Sequence, residues 1–432
     1  VRPAAARAGL GLLAGALVLC GCGARDGGVT LRFWAMGREG EVVEELVRDF
    51  ERENPGIRVE VQQIPWTAAH EKLLTAHVGE ATPDVAQLGN SWISEFVALR
   101  ALLPLDSRVA TSSVVNPGTD FPGVWQTNVV DGATYGVPWY VDTRVLFYRT
   151  DLLRDAGYAA MPRRWDEWRS ALEAIRRRGG PGKFGVFLPA NEWMQPVLFG
   201  MQSGATLLAD SGSRAAFREP AFRRAFTFYA DLFRDSLAPA LSNSEIANMY
   251  QEFDRGTFAM VITGPWNLGE FRRRLPEDRQ HTWSTAPLPG PDGPGLSFAG
   301  GSSLVCFRRS RHPGEAWRLI EYLSAPERQL RFYALSGDLP ARRAAWADTA
   351  LTGDPRIRAF GEQLMRVQAP PGIPEWENVA TVIQQHGETV ARGAAPVDRV
   401  LEALDREVDR LLEKRRWLIA RARAKPPAGG GG

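Results

Sequence analysis

The stretch TLRFWAMGREGEVVEELVRDFERENPGIRVEV, residues 30–61, decides the fold class. Thr30 to Trp34 is β-prone and ends in a loop carrying Gly37 and Gly40. Val42, Val43, Leu46, Val47 and Phe50 then recur with helical period. Asn54-Pro55-Gly56 stops that helix, and Ile57 to Val61 alternates as a strand. Working outward, a helix is predicted from about Ala68 to Val78 and a strand over Val85 to Leu88, after Pro83. A further helix starts near Ser91. This β-α-β-α-β order predicts a mainly parallel sheet with helices packed outside it.

A second start lies near Gly136, with strands at Val145–Tyr148, Phe184–Phe187 and Phe258–Ile262 and helices between them. Pro287 to Gly295 is a Pro/Gly-rich loop, and Leu304 to Phe307 is a late strand. Helices follow, the last over Val397 to Ile419. A chain of 432 residues exceeds what one core usually supports, so two domains are expected. Its 52 Lys and Arg against 50 Asp and Glu leave no basic excess, which argues against nucleic acid as a partner. The basic run Lys414-Arg415-Arg416 with Arg421, Arg423 and Lys425 reads as the solvated end of a terminal helix.

At the N-terminus, Arg2 and Arg7 precede the apolar run Gly9 to Leu19, too short to span a bilayer and suited to a signal-peptide core. It ends in Leu19-Cys20-Gly21-Cys22, which resembles a bacterial lipobox with Cys22 as the modified residue. Residues 1–22 are then a signal peptide and 23–28 a tether, and lipid on Cys22 would hold the protein to a membrane surface. The remaining Cys306 sits in an apolar run and is expected to be buried and inert. No Walker loop, GxSxG or Cys/His zinc pattern occurs, and no metal or cofactor is expected. Asp142 and Glu192 follow loops expected to face a cleft. They suit either a glycosidase pair or simple acceptors for hydroxyl groups, and sequence spacing does not separate the two.

Several segments together resemble the bacterial extracellular solute-binding proteins of ABC importers, the family that includes maltose-binding protein. They are Leu31–Trp34, Phe50–Ile57, Pro65-Trp66, Pro83-Asp84-Val85, Gly136–Tyr140 with Asp142, Phe253–Asn267 with Gly264-Pro265-Trp266, Phe298–Ser303 and Gly337–Pro340. The resemblance implies an α/β, two-lobed periplasmic-binding-protein fold with a multi-crossing hinge. One lobe would take 29–140 and 296–339, the other 141–295 and 340–423, leaving 424–432 as a disordered tail.

Ligands in such folds sit beyond the carboxyl ends of strands. A sugar offers apolar faces to aromatic rings and a rim of hydroxyls to polar groups. The resemblance and that rule nominate Arg38, Glu39, Trp66, Glu71, Asn90, Ser91, Trp92, Trp139, Asp142, Glu192, Trp193, Trp266, Gly301, Ser302, Arg342 and Trp376 as contacts. No catalytic residue is assigned. The resemblance further implies a monomer, outside the cytoplasm, that binds a carbohydrate and delivers it to permease subunits served by a separate ATPase. A glycoside-active enzyme and a receptor for another solute are the competing readings.

Overall fold

The computed structural model describes residues 28–424, so Cys22, the signal segment, most of the tether and the tail beyond Ala424 lie outside the described residues. The opening follows the expected order. Strand β1 (Val29–Met36) leads into helix α1 (Gly37–Glu53), β2 (Ile57–Ile64), α2 (Trp66–Val78) and β3 (Val85–Gly89). Helix α1 is amphipathic, burying Val42, Val43, Leu46, Val47 and Phe50 against the sheet. Later strands are β4 (Gly136–Asp142), β5 (Val145–Arg149), β6 (Phe184–Phe187), β7 (Phe258–Thr263), β8 (Trp283–Ala286), β9 (Gly300–Cys306) and β10 (Leu339–Pro340).

Two sheets result. The first runs β10-β4-β9-β3-β1-β2, the second β8-β5-β7-β6. Both are mixed, where a mainly parallel arrangement was expected. β1 pairs in parallel with β2 and β3, but β9 runs antiparallel to both β3 and β4. In the second sheet only β7 and β6 are parallel. The cause is the chain path. Strands linked through helices on one face come back parallel, as β10 does to β9, whereas β9 enters the first sheet from the second and so runs against β3 and β4. The strand β8 escapes sequence pattern because Trp283-Ser284-Thr285-Ala286 is short and stops at Pro287. The expected terminal helix divides into Val397–Leu411 and Glu413–Ala424 at Leu412. Leu412 is the last fully buried residue of its apolar stripe, and Trp417 and Leu418 beyond it are exposed.

The two sheets meet where β4 passes into β5 through Thr143 and Arg144 alone. One hydrophobic cluster spans this junction, joining Phe121, Val141, Leu339 and Ala341 to Phe147, Phe271, Trp283 and Phe360. The Oγ of Ser297, on the returning chain, accepts from Arg144 N at 3.1 Å and donates to Arg144 O at 2.9 Å. The two connecting segments are therefore clamped side by side. Cys306, on β9, is buried as expected, and burial pushes its thiol up to about 12.

Trp139 belongs to the core and not to the ligand site. Tyr140 pairs with Ser302 and Pro138 with Ser303, so Trp139 is the extra residue of a β-bulge. The bulge turns its ring onto Phe332, stacked at 4.3 Å, and near Phe33 at 6.0 Å. Trp376 is likewise buried and meets Trp193 edge-on at 5.6 Å from behind. Arg342 is buried in an ion pair with Asp120, 3.5 Å away, and donates to Val114 O at 2.6 Å. Burial raises the Asp120 carboxyl to about 7 against the pull of Arg342. Replacing Trp139 with Ala should lower unfolding free energy in urea by about 3–5 kcal/mol, the usual cost of emptying a packed Trp site.

Candidate functional site

Between the sheets lies a cavity of about 900 Å³. Its walls are the loops at the carboxyl ends of strands, as open α/β sheets dictate. Arg38 and Glu39 follow β1, Trp66 follows β2, and Asn90, Ser91 and Trp92 follow β3. Across the cleft, Trp193 lies beyond β6 and Trp266 beyond β7. Asp142 and Gly301 come from the connecting strands. All of these expected residues line the cavity. Tyr140, Arg144, Phe298, Asp338 and the segment 368–372 also line it and were not foreseen.

Glu39 sits in the first turn of α1, where the helix dipole favours a carboxylate. Its Oε1 accepts from Tyr140 Oη at 2.7 Å, Trp66 Nε1 at 3.3 Å and Gln87 Nε2 at 3.3 Å. Gln87 Nε2 also reaches Tyr140 Oη at 3.1 Å and Ser302 Oγ at 3.2 Å, and its Oε1 accepts from Met36 N at 2.7 Å. Ser302 therefore acts behind the wall and does not line the cavity. It is wholly buried, and its hydroxyl donates to Tyr140 Oη at 3.0 Å. Gly301, with φ of +122°, lies against the hinge strand; a Cβ there would fall 2.2 Å from Tyr140 O. No L side chain fits that backbone without displacing β4.

Glu71 is not brought to the cleft. On α2 the buried positions are Ala69, Leu73 and Ala76, and Glu71 points to the exposed side. Glu192 is close but separate, lining an adjoining chamber of about 250 Å³ that shares Arg144, Met194 and Trp266 with the main cavity. Asn90 Oδ1 accepts from Ser303 Oγ at 3.0 Å, leaving Nδ2 without a partner among the described residues. It is an unused donor in the cleft wall.

Trp266 is 46% exposed, at the start of helix Trp266–Arg274. Its ring folds back over Gly264, where a Cβ would lie 1.9 Å from the ring, so only glycine permits this pose. The Arg144 guanidinium covers the ring at 4.4 Å from its centroid while pairing with Asp142. Trp66 and Trp92 meet edge-on at 5.7 Å on the opposite wall.

Three carboxylates, Glu39, Asp142 and Asp338, line the cavity with Arg38 and Arg144. Arg38 is exposed and bonded to Glu41 at 2.9 Å. Burial raises the Asp142 carboxyl, and Arg144 opposes it. Asp338 is pushed up to about 7, first by burial and then by the charge of Glu39, with Ser336 opposing and Asp142 adding. Among the described residues no group of three or more His, Cys, Asp or Glu could hold a metal ion, and no helix is long and apolar enough to cross a membrane.

Residues 36–330 match the family model described as bacterial extracellular solute-binding protein. The chain belongs to that family. It is similar to the sugar-binding protein MalE from Xanthomonas citri, with 49% identity, a TM-score of 0.89, and coverage of 91% of this chain and 99% of that one. It is also similar to the diacetylchitobiose-binding protein DasA of Streptomyces coelicolor, at 24% identity over 86% of this chain and 87% of the relative. A lipoprotein of Streptomyces antibioticus is 29% identical over 85% of each chain. The two lobes and the cleft between them are the architecture of this solute-binding family.

The raised Asp338 carboxyl makes stability depend on pH. The folded form holds its proton more tightly than the unfolded chain, whose carboxyl titrates near 3.8. Stability from this group is therefore full below about 4 and is lost as pH rises through 7. Asp338 lines the cleft and is only half-buried, so the effect is on the order of 1–3 kcal/mol. In urea unfolding, Asp338→Asn should match the wild type near pH 4 and exceed it at pH 8.5.

Proposed function

We propose that this solute-binding protein is the carbohydrate receptor of an ABC importer, capturing a di- or oligosaccharide between its lobes for transfer to permease subunits served by a separate ATPase. The division into lobes 29–140 with 296–339 and 141–295 with 340–423 belongs to the same reading. The observation that carries it is the composition of the cleft. Trp66, Trp92, Trp193 and Trp266 offer flat apolar surface around Glu39, Asp142 and Asp338, which accept hydroxyl hydrogen bonds. The similarity to sugar-binding MalE supports the same ligand class. Against a glycosidase, Asp142 is neutralised by Arg144, and Glu192 lies in the side chamber. They do not flank one shared position, as an acid and a nucleophile must.

A thermal-shift screen of the protein against maltose, maltotriose, galactobiose and diacetylchitobiose tests the proposal. A sugar at a hundred times its Kd should add about 2.7 kcal/mol of stability. Stabilisation by none of them, or turnover of the one that binds, would sink the reading. Trp266→Ala should weaken the binding sugar by about 2–4 kcal/mol, at least thirty-fold in Kd by calorimetry. Because Trp266 is half exposed, the same change should cost the ligand-free fold far less than Trp139→Ala.

The receptor is proposed to be a monomer held outside the cytoplasm by lipid on Cys22. This rests on the Leu19–Cys22 sequence and on the similarity to a lipoprotein. Cys22→Ala should move the processed protein from the membrane pellet to the soluble fraction on centrifugation.

A further inference from the structure

Arg144 holds a position that a sugar receptor would not be expected to fill. Its guanidinium lies over the Trp266 ring, the flat surface best placed to receive a sugar face. It is also one of two residues linking β4 to β5, and its backbone is fixed from both sides by Ser297. Arg144 and Trp266 also line the side chamber.

That chamber is rich in acceptors. Glu192 has one hydrogen-bond donor, Asn243 Nδ2 at 3.1 Å. Burial raises its carboxyl, and the nearby charge of Arg144 draws it down. Gln195 is 5% exposed, and its Oε1 has no partner among the described residues. Thr263, Asn267 and Tyr250 complete a polar wall, already bonded among themselves through Asn267. A half-buried carboxylate and an unpaired amide oxygen lining one chamber are what a planar, five-donor cation satisfies.

We infer that Arg144 is an internal occupant of the sugar site: binding moves its guanidinium off Trp266 and into the side chamber, where Glu192 and Gln195 receive it. The inference rests on the carbohydrate reading and deepens it, making Arg144 a specificity-determining residue at the hinge. Leaving Trp266 costs a cation–π contact and the ion pair with Asp142, whose carboxylate is freed to accept from sugar hydroxyls, and entering the chamber gains charge-assisted hydrogen bonds. A ligand with no apolar face to lay on Trp266 cannot drive the exchange. The site would thus reject small polar solutes that only hydrogen-bond to the rim.

A double-mutant cycle on the sugar that stabilises the wild type most in the four-sugar panel tests this, with Kd read by calorimetry for Arg144→Ala, Glu192→Gln and the pair. Glu192→Gln alone should weaken binding, since the displaced guanidinium loses its acceptor. In the Arg144→Ala background the same change should have no effect. Adding Arg144→Ala to Glu192→Gln should tighten binding by about two- to five-fold, because the cost of drawing the guanidinium off both Trp266 and Asp142 is then removed. If Arg144→Ala weakens binding in both backgrounds, Arg144 touches the sugar directly and the exchange is wrong. If Glu192→Gln weakens binding equally with and without Arg144, Glu192 is itself a sugar contact and the exchange is again wrong. Stabilisation by no member of the panel defeats the carbohydrate reading instead, and this inference with it. Thermal melts of each ligand-free variant confirm that the cycle compares folded proteins.

Discussion

The carboxamide of Gln87 ties the cleft together. Fully buried in the middle of β3, it accepts from the backbone of β1 and donates toward Glu39, Tyr140 and Ser302. Four separate segments of chain meet at that one side chain. In a site of low dielectric such a cluster rigidifies when every member is paired, and an unpaired member costs about 1–3 kcal/mol. The position of the Glu39 carboxylate, and with it the Trp66 indole, follows from this cluster more than from the two helix starts that carry them. The aromatic wall of one lobe is thus set by hydrogen bonds that reach into both connecting strands.

The fold was legible wherever side chains recur with a clear period. Val42 to Phe50 marked α1, and the strands around it followed from alternation and from Asn54-Pro55-Gly56. The family resemblance and the strand-end rule together then placed Glu39, Trp66, Asn90, Trp92 and Trp266 at the cleft, because the end of a strand needs no knowledge of tertiary contacts. What sequence did not reveal is direction. Trp139 sits one residue from Tyr140, yet a bulge with no sequence mark turns it into the core. Arg342 meets Asp120 across 222 residues of chain, and nothing local announces that pairing. Trp376 follows a plausible loop but becomes the support behind Trp193. Arg144 reads as an ordinary charged residue in a two-residue link, and Gln87 as a polar residue within a strand. Both owe their roles to partners that only the folded chain supplies.

The junction between the lobes combines two kinds of constraint. The cluster of Phe147, Phe271, Trp283 and Phe360 with Val141 and Leu339 is non-directional and resists separation. The Ser297 clamp on Arg144 is directional and resists sliding of one connecting segment along the other. Motion that keeps both intact is a bend across the paired segments, with little shear between them.

Cys306 gives this architecture a practical use. It is 1% exposed, and its thiol is pushed up to about 12, so almost none is thiolate at neutral pH. Cys20 and Cys22 are the only other cysteines in the sequence. In a chain begun at Gly28, a single cysteine introduced at Ser91 or Thr127 on the cleft rim would be the one thiol open to a maleimide dye. An environment-sensitive fluorophore placed there would turn lobe closure into an optical signal, with no native thiol to remove first.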